Sequence, residues 1–392
     1  MGLLAALETA KKNKDLEIDS DTIVSTEDAV EYISTGSIIL DKILGKENRI
    51  GGVAQGRILE MFGLESSGKT TVALHIARET QKLGKNVVFV DFEAALDRSY
   101  ARSAIGLDLD PDKFAHLRPT CLEEGVNLVD AILSDKNANV GVVIMDSVKA
   151  MLPRAVIEGL VGDEPPMALQ ARRVGMWLGK VTKQIKDTGT ILILLNQMTK
   201  NIKSNPYQSG GEFETPGGLA IRFYASTRIE LKCVKKETIK GINPITNEED
   251  DIPDSNRVRA SIIKNKVGDP YKKAEFYIKY GKGIDNVRSV IDMAVSHNVI
   301  KQGGAWFSYK ETEGGFKVQG EDNMRAFLTN PENKGMLKQI ADSLIFNTDE
   351  KVKEEAKVFE AQEAKMERKN TKELKKATKE KKEAVETVVK EA

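Results

Sequence analysis

The segment GLESSGKTT, from Gly63 to Thr71, leaves this chain few folds to choose from. Gly63, Gly68, Lys69 and Thr70 satisfy the spacing G-x-x-x-x-G-K-[ST] of a phosphate-binding loop. Such a loop needs a strand in front to aim it. It also needs a helix behind, whose N-terminus turns free N–H groups and a favourable dipole toward an anion. RILEMF precedes the segment and TTVALHIARETQ comes after it, so both are in place. The two glycines let the backbone wrap the phosphates, with Glu65, Ser66, Ser67 and Thr71 belonging to the same cradle. Lys69 brings a positive charge to the phosphates, and the Thr70 hydroxyl is suited to Mg²⁺. The loop does not say what the bound nucleotide is used for.

The runs around it set the fold class. NVVFVDFE, VGVVIMDSV and TILILLNQ are continuous apolar strands, and CLEEGVNLVDAILSD and ALQARRVGMWLGKVTKQIKD carry apolar residues at helical spacing. Strands of this kind separated by helices predict an α/β fold with a mostly parallel central sheet covered on both faces. After Ala225, STRIELKCVKK, RVRASIIKNK and KAEFYIKYG alternate, which predicts antiparallel strands extending that sheet. NVRSVIDMAVSHNVI opens a smaller α+β module that contains GAWFSYK, a hairpin through EGGFKVQG, and two helices ending near Phe346. The expected domains are residues 1–32, an N-terminal helix (1–14) and connector serving oligomerisation; 33–284, the nucleotide-binding core; 285–346, the small module; and 347–392, a charged tail. That tail is rich in Lys, Glu and Ala and lacks sustained apolar heptads, so it reads as a solvated helix or a disordered segment.

Composition excludes several classes. Lys plus Arg and Asp plus Glu both number 59, so any basic surface for nucleic acid must be local. Cys121 and Cys233 are the only cysteines, which rules out a disulfide scaffold or a cysteine-built zinc site and suits a reducing, cytoplasmic setting. No run approaches the roughly 20 apolar residues of a membrane span. The opening MGLLAA is followed by lysines where a signal peptide would be cleaved, and Ala6 stands where a myristoylation motif has Ser or Thr.

Three strand ends supply further candidates. Asp146 ends VVIMD, the place of a carboxylate that holds the Mg²⁺ shell. Glu93 ends VVFVDFE on the edge where α/β folds bind ligands, and could orient or deprotonate an attacking water. Asp91, two residues earlier, would share its face, and spacing alone does not choose between them. Gln197 closes TILILLNQ, where it can meet a γ-phosphate. His75, His116 and His297 are the only histidines and read as packing or surface residues.

In order and spacing, ISTGSIILDKILG, GLESSGKTT, DFEAALDRSYAR, VIMDSVKAMLPRAVIEGLVGD, LLNQM, PGGLAIRFYASTR, IIKNKVGDPYKKAEF and GAWFSYK resemble the bacterial RecA recombinase family. The similarity runs from about Ile33 to about Phe346. It implies a RecA-type core using ATP and Mg²⁺, with Glu93 as the residue that activates water. By the same resemblance, Asp97 and Tyr100 match adenine contacts, and Gln197 relays the γ-phosphate state. Lys264 and Lys266 match a pair reaching the neighbouring subunit's ATP, and Phe223 an aromatic packed on that neighbour.

The resemblance also implies a DNA site built from two loops, Ala155–Met167 and Met198–Pro216. Met167 and Ile202 stand as candidate apolar wedges, with Phe213 an alternative. Gly217 and Gly218 frame the second loop, and Arg172, Arg222 and Arg228 match basic residues near phosphates. Basic backbone contacts with inserted apolar side chains would give sequence-tolerant binding to single strands. Leu64, Ala94 and Gly179 depart from the family's usual residues, and the second loop is long and acidic. These departures mark a divergent branch.

The implied function is an ATP-dependent recombinase. It would form head-to-tail helical filaments on single-stranded DNA and pair them with homologous double-stranded DNA, in recombination, repair and the SOS response. Single-strand-binding or loader proteins are partners the resemblance admits. The alternatives from the same core are a ring-forming helicase and a nucleotide-switched mediator with little turnover.

Overall fold

The computed structural model describes residues 30–46, 51–159, 167–200, 213–214, 216–242, 247–310, 314–346 and 348–361. The chain divides into two units between Glu31 and Tyr32. The helix expected over residues 1–14 lies outside the described residues. All described helices and strands belong to the second unit.

Nine strands form its main sheet: β1 (Ile58–Gly63), β2 (Asn86–Asp91), β3 (Phe114–Leu117), β4 (Val140–Asp146), β5 (Ile191–Gln197), β6 (Thr227–Ile242), β7 (Glu249–Asn265), β8 (Lys273–Lys279) and β9 (Gly283–Asp285). Their order across the sheet is β9-β8-β7-β6-β1-β5-β4-β2-β3. Every pair from β6 through β1 to β3 is parallel. Every pair from β6 out to β9 is antiparallel, as the alternating sequences after Ala225 predict. All six residues of β1 are buried, the signature of a strand covered on both faces.

Residues alternate across β1. On one face, Leu59 and Met61 share a core with α1 (Ile38–Leu44) and α2 (Lys69–Lys82). On the other, Ile58 packs with α3 (Leu122–Ser134) and α4 (Met167–Thr188), and Ile221 of α5 (Gly218–Tyr224) joins them. Asp130 on α3 ties these helices together by accepting from Trp177 Nε1 at 3.1 Å and Lys180 Nζ at 2.7 Å, both on α4.

The smaller module comprises α6 (Asn286–Ser296), the antiparallel strands β10 (Lys301–Gly303), β11 (Trp306–Tyr309) and β12 (Phe316–Gln319), α7 (Glu321–Thr329) and α8 (Lys334–Asp342). Its Val290, Phe307, Met324 and Ile340 are continuous with the apolar core around Ile39 and Leu40 of α1.

The solvated segment expected after Phe346 begins differently. Residues 350–361 form a helix, α9, that buries Val352 and Ala356 against Phe62 and Ile263. Phe359 stacks on Phe62 with ring centroids 5.4 Å apart. Val352, Ala356 and Phe359 recur at steps of four and three, so one helical face carries the contact. Residues 362–392 lie outside the described residues.

Candidate nucleotide site

The phosphate loop leaves β1 at Gly63 and enters α2 at Lys69. A Cβ on Gly63 would sit 2.1 Å from the Leu231 carbonyl oxygen, so β1 can run this close to β6 only with glycine there. Gly68 has φ 90°, a left-handed conformation that favours glycine, and a Cβ on it would also press on the tip of Ile278 at 2.4 Å. Lys69 Nζ donates to the carbonyls of Leu64 at 2.8 Å and Gly63 at 3.1 Å. Burial lowers its pKa, against the opposing pull of Asp146, Glu93 and Glu65. Leu64 contributes its carbonyl while its side chain is exposed.

Thr70 Oγ1 donates to Asp146 Oδ2 at 2.8 Å, joining the start of α2 to the end of β4. Burial pushes the Asp146 carboxyl up to about 6; Glu93 and Asp91 add to the rise, and the Thr70 hydrogen bond opposes it. A hydroxyl and a carboxylate at one point are the hard oxygen donors Mg²⁺ takes alongside phosphate oxygens and water. Among the described residues, no group of three or more His, Cys, Asp or Glu side chains is placed to hold a metal alone. The donor set therefore fits an ion shared with a phosphate.

Glu93 and Asp91 part company in the structure. β2 stops at Asp91, the chain bends through Phe92–Ala94, and Ala94 takes φ 52°. The two-residue alternation that put both carboxylates on one face no longer applies past Asp91. Asp91 is buried and accepts from the Ala95 and Leu96 N–H groups, each at 3.1 Å, with His116 Nε2 also 3.1 Å away. It organises the turn. Glu93 is exposed toward the cavity, and its Oε1 accepts from Gln197 Nε2 at 3.0 Å and from the Ser147 hydroxyl.

These groups line a cavity of about 420 Å³, bounded by Glu65–Thr71, Glu93, Tyr100, Asp146 and Gln197. Burial raises the Tyr100 pKa, opposed by a hydrogen bond with Thr71. Asp97 is not among the lining residues; its carboxylate caps the turn Arg98–Tyr100 by accepting from Tyr100 N at 3.0 Å. The far wall consists of Asn256, Ile278, Lys279, Tyr280 and Gly281, none of them expected from the sequence. Tyr280 donates to Asn256 Oδ1 at 2.6 Å. The only local signal was the YGKG turn after an alternating strand, and nothing in its spacing points to a segment some 200 residues upstream.

Other expected site residues lie away from this cavity. Lys264 Nζ meets the Arg222 carbonyl and, at 3.4 Å, the Phe223 carbonyl, which Lys266 Nζ also meets at 3.4 Å. Both thus sit at the C-terminus of α5, where cations are favoured. Burial, then the neighbouring charges of Lys266, Arg228 and Arg222, bring Lys264 down to about 8. Phe223 is 70 % exposed. Arg172 is exposed on α4, Arg222 is half-buried on α5, Gly217 is the N-cap of α5 and Gly218 its first residue. Arg228 is the departure: it is 1 % exposed, and Nε donates to Glu60 Oε2 at 2.5 Å. Its guanidinium lies over the rings of Phe62 and Phe359, at 4.9 and 5.4 Å from their centroids. Placed so, it presents no surface to a DNA phosphate. Met167 opens α4, and its side chain, like that of Phe213, is not described; Ile202, with residues 160–166 and 201–212 of the two long loops, lies outside the described residues.

Among the described residues no helix is long and apolar enough to cross a membrane. A family model of the RecA N-terminal domain matches residues 5–285, and one of the RecA C-terminal domain matches residues 288–347. Protein RecA of Ruminococcus albus is 40 % identical over 327 residues, covering 82 % of this chain and 76 % of that protein. Protein RecA of Clostridium novyi is 40 % identical over 315 residues, 80 % of this chain and 82 % of the relative. Protein RecA of Mycobacterium ulcerans is 40 % identical over 312 residues, 79 % and 82 %.

Proposed function

This chain belongs to the RecA family, and on that premise we propose that its cavity binds ATP with Mg²⁺ and couples hydrolysis to assembly on single-stranded DNA. It is a recombinase of DNA recombination and repair and a DNA-dependent ATPase. The observation that carries the finer reading is one cavity lined by the phosphate loop, the Thr70–Asp146 pair and the Glu93–Gln197 pair.

Lys69 and the loop amides hold the phosphates, while Thr70 and Asp146 hold the ion. The ion supplies charge neutralisation where negative charge develops on the phosphates. Glu93 orients and deprotonates the attacking water. Gln197, bonded to Glu93 and standing at the head of the second long loop, responds to the γ-phosphate. Tyr100 and Tyr280 flank the space for the base.

Lys264 and Lys266, outside their own subunit's cavity, complete the site of the next subunit in a head-to-tail assembly. The exposed Phe223 packs at that same junction. Head-to-tail contacts whose rotation does not close build a helical filament rather than a ring. The basic residues of α4 and α5 and the two long loops face single-stranded DNA, with homologous duplex as the second substrate.

The test is ATP hydrolysis with and without single-stranded DNA, beside electron microscopy with a non-hydrolysable ATP analogue. The wild type should hydrolyse faster with DNA and form continuous filaments, and Lys69→Ala should lose both. Undiminished filaments in that variant, or closed rings in the wild type, would overturn the reading.

A further inference from the structure

Behind the nucleotide cavity, three neighbouring strands carry a buried polar group that hydrolysis leaves unused. Glu60 is on β1, Asn196 on β5 and Arg228 on β6; the first and last are 1 % exposed and Asn196 is wholly buried. Arg228 Nε donates to Glu60 Oε2 at 2.5 Å. Asn196 Nδ2 donates to Glu60 Oε1 at 3.0 Å and to the Pro216 carbonyl at 2.8 Å. An amide nitrogen has two N–H bonds, so both are used. Pro216 immediately precedes Gly217, the N-cap of α5, and is the last residue of the second long loop.

The residues beside Asn196 face the nucleotide site. Gln197 bonds Glu93 in the cavity at 3.0 Å. Met198 N donates at 3.0 Å to the Gly63 carbonyl, the same oxygen that Lys69 Nζ meets at 3.1 Å. Consecutive strand residues project to opposite faces. The end of β5 therefore touches the loop exit with Asn196, the carboxylate with Gln197 and the phosphate loop with Met198. It cannot turn one without turning the others.

Two features set this apart from simple packing. A buried Arg–Glu pair is generally no more stabilising than well-packed apolar residues of the same volume. Asn196 Oδ1 also has no hydrogen-bond partner among the described residues, a cost that a purely structural site would avoid.

We propose that Asn196 is a positioning residue that carries the state of the nucleotide site to the exit of the second long loop at Pro216, with the Glu60–Arg228 pair as its fixed anchor. The proposal rests on the reading that the cavity holds ATP and the loop meets single-stranded DNA. Asn196→Ala removes both bonds and touches nothing in the cavity.

The experiment measures binding of a fluorescent oligothymidine to the full chain with and without a non-hydrolysable ATP analogue, and binding of the analogue itself. In Asn196→Ala the analogue should bind within about twofold of wild type, while the DNA affinity gained on adding it falls by about tenfold, the size of ordinary coupling between sites. DNA affinity without nucleotide should not change. Asn196→Ser keeps one donor in the buried site; it should show a smaller loss of the same kind, and it serves if the alanine variant does not fold. A variant with the full wild-type gain, or one equally weakened with and without the analogue, overturns the coupling alone. A wild type that gains no DNA affinity from the analogue overturns the reading of the cavity and this proposal with it.

Discussion

Gln197 and Glu93, 104 residues apart in sequence, meet through a 3.0 Å hydrogen bond that bridges the ends of β5 and β2 across the cavity. The bond ties a cavity carboxylate, the water-activating base of the proposed reading, to the strand leading into the second long loop. Glu93→Gln keeps the side chain's size and its bond to the strand but removes the base. Turnover should fall by about a hundredfold or more while nucleotide affinity is kept, a split that phosphate-release kinetics beside equilibrium binding would reveal.

Asp91 should behave in the opposite way. Its oxygens hold two backbone N–H groups of the turn after β2. Asp91→Ala leaves the buried Leu96 N–H unpaired and frees the more exposed Ala95 N–H, and should cost about 2 kcal/mol in chemical unfolding, while turnover per folded molecule changes little.

His75 makes the fold sensitive to acid. Its Nε2 accepts from the Ile284 N–H at 3.0 Å, so the folded ring must be neutral on that nitrogen. Burial, with Arg78 nearby, pushes its pKa down to about 3 from 6.5. The unfolded ring takes up a proton that the folded ring refuses. This stability is therefore fully present above pH 6.5 and is lost as pH falls, by about 2 kcal/mol between pH 6.5 and 5. In His75→Gln, whose carbonyl can accept the same bond without titrating, urea unfolding should show a correspondingly flatter acid slope.

Val352→Asp should detach α9. The substitution puts a charge into the apolar seam with Phe62 and Ile263. Tryptic cleavage after Lys353 and Lys357 should then accelerate by about tenfold or more, with the core fragment intact, because only local opening is needed.

Much of this was legible in the sequence, for reasons that differ by element. β1, β2, β4 and β5 declared themselves because strands buried on both faces are built almost entirely of apolar residues. The phosphate loop declared itself because its spacing comes from wrapping an anion. The Asp91–Glu93 choice could not be made from alternation, since a strand's period says nothing once the chain bends at Phe92. Arg228 in an alternating strand reads as surface, and only the Glu60 carboxylate and two aromatic rings gathered from distant segments make its burial possible. The far cavity wall around Tyr280 was invisible because folding, not spacing, brings it to Gly68. The stripe Val352, Ala356 and Phe359 was readable but lay among so many lysines and glutamates that its charge outweighed its periodicity.

The position of β1, fifth of nine strands and fully buried, has a kinetic corollary. Its amides can exchange with solvent only when the whole sheet opens, so in a deuterium-labelling time course they should be among the last to change mass. The loop that accommodates each arriving nucleotide is thus suspended from the slowest-breathing strand of the sheet. Any rearrangement on binding would then fall to the loop and to the strand ends beside it, with β1 itself held in place.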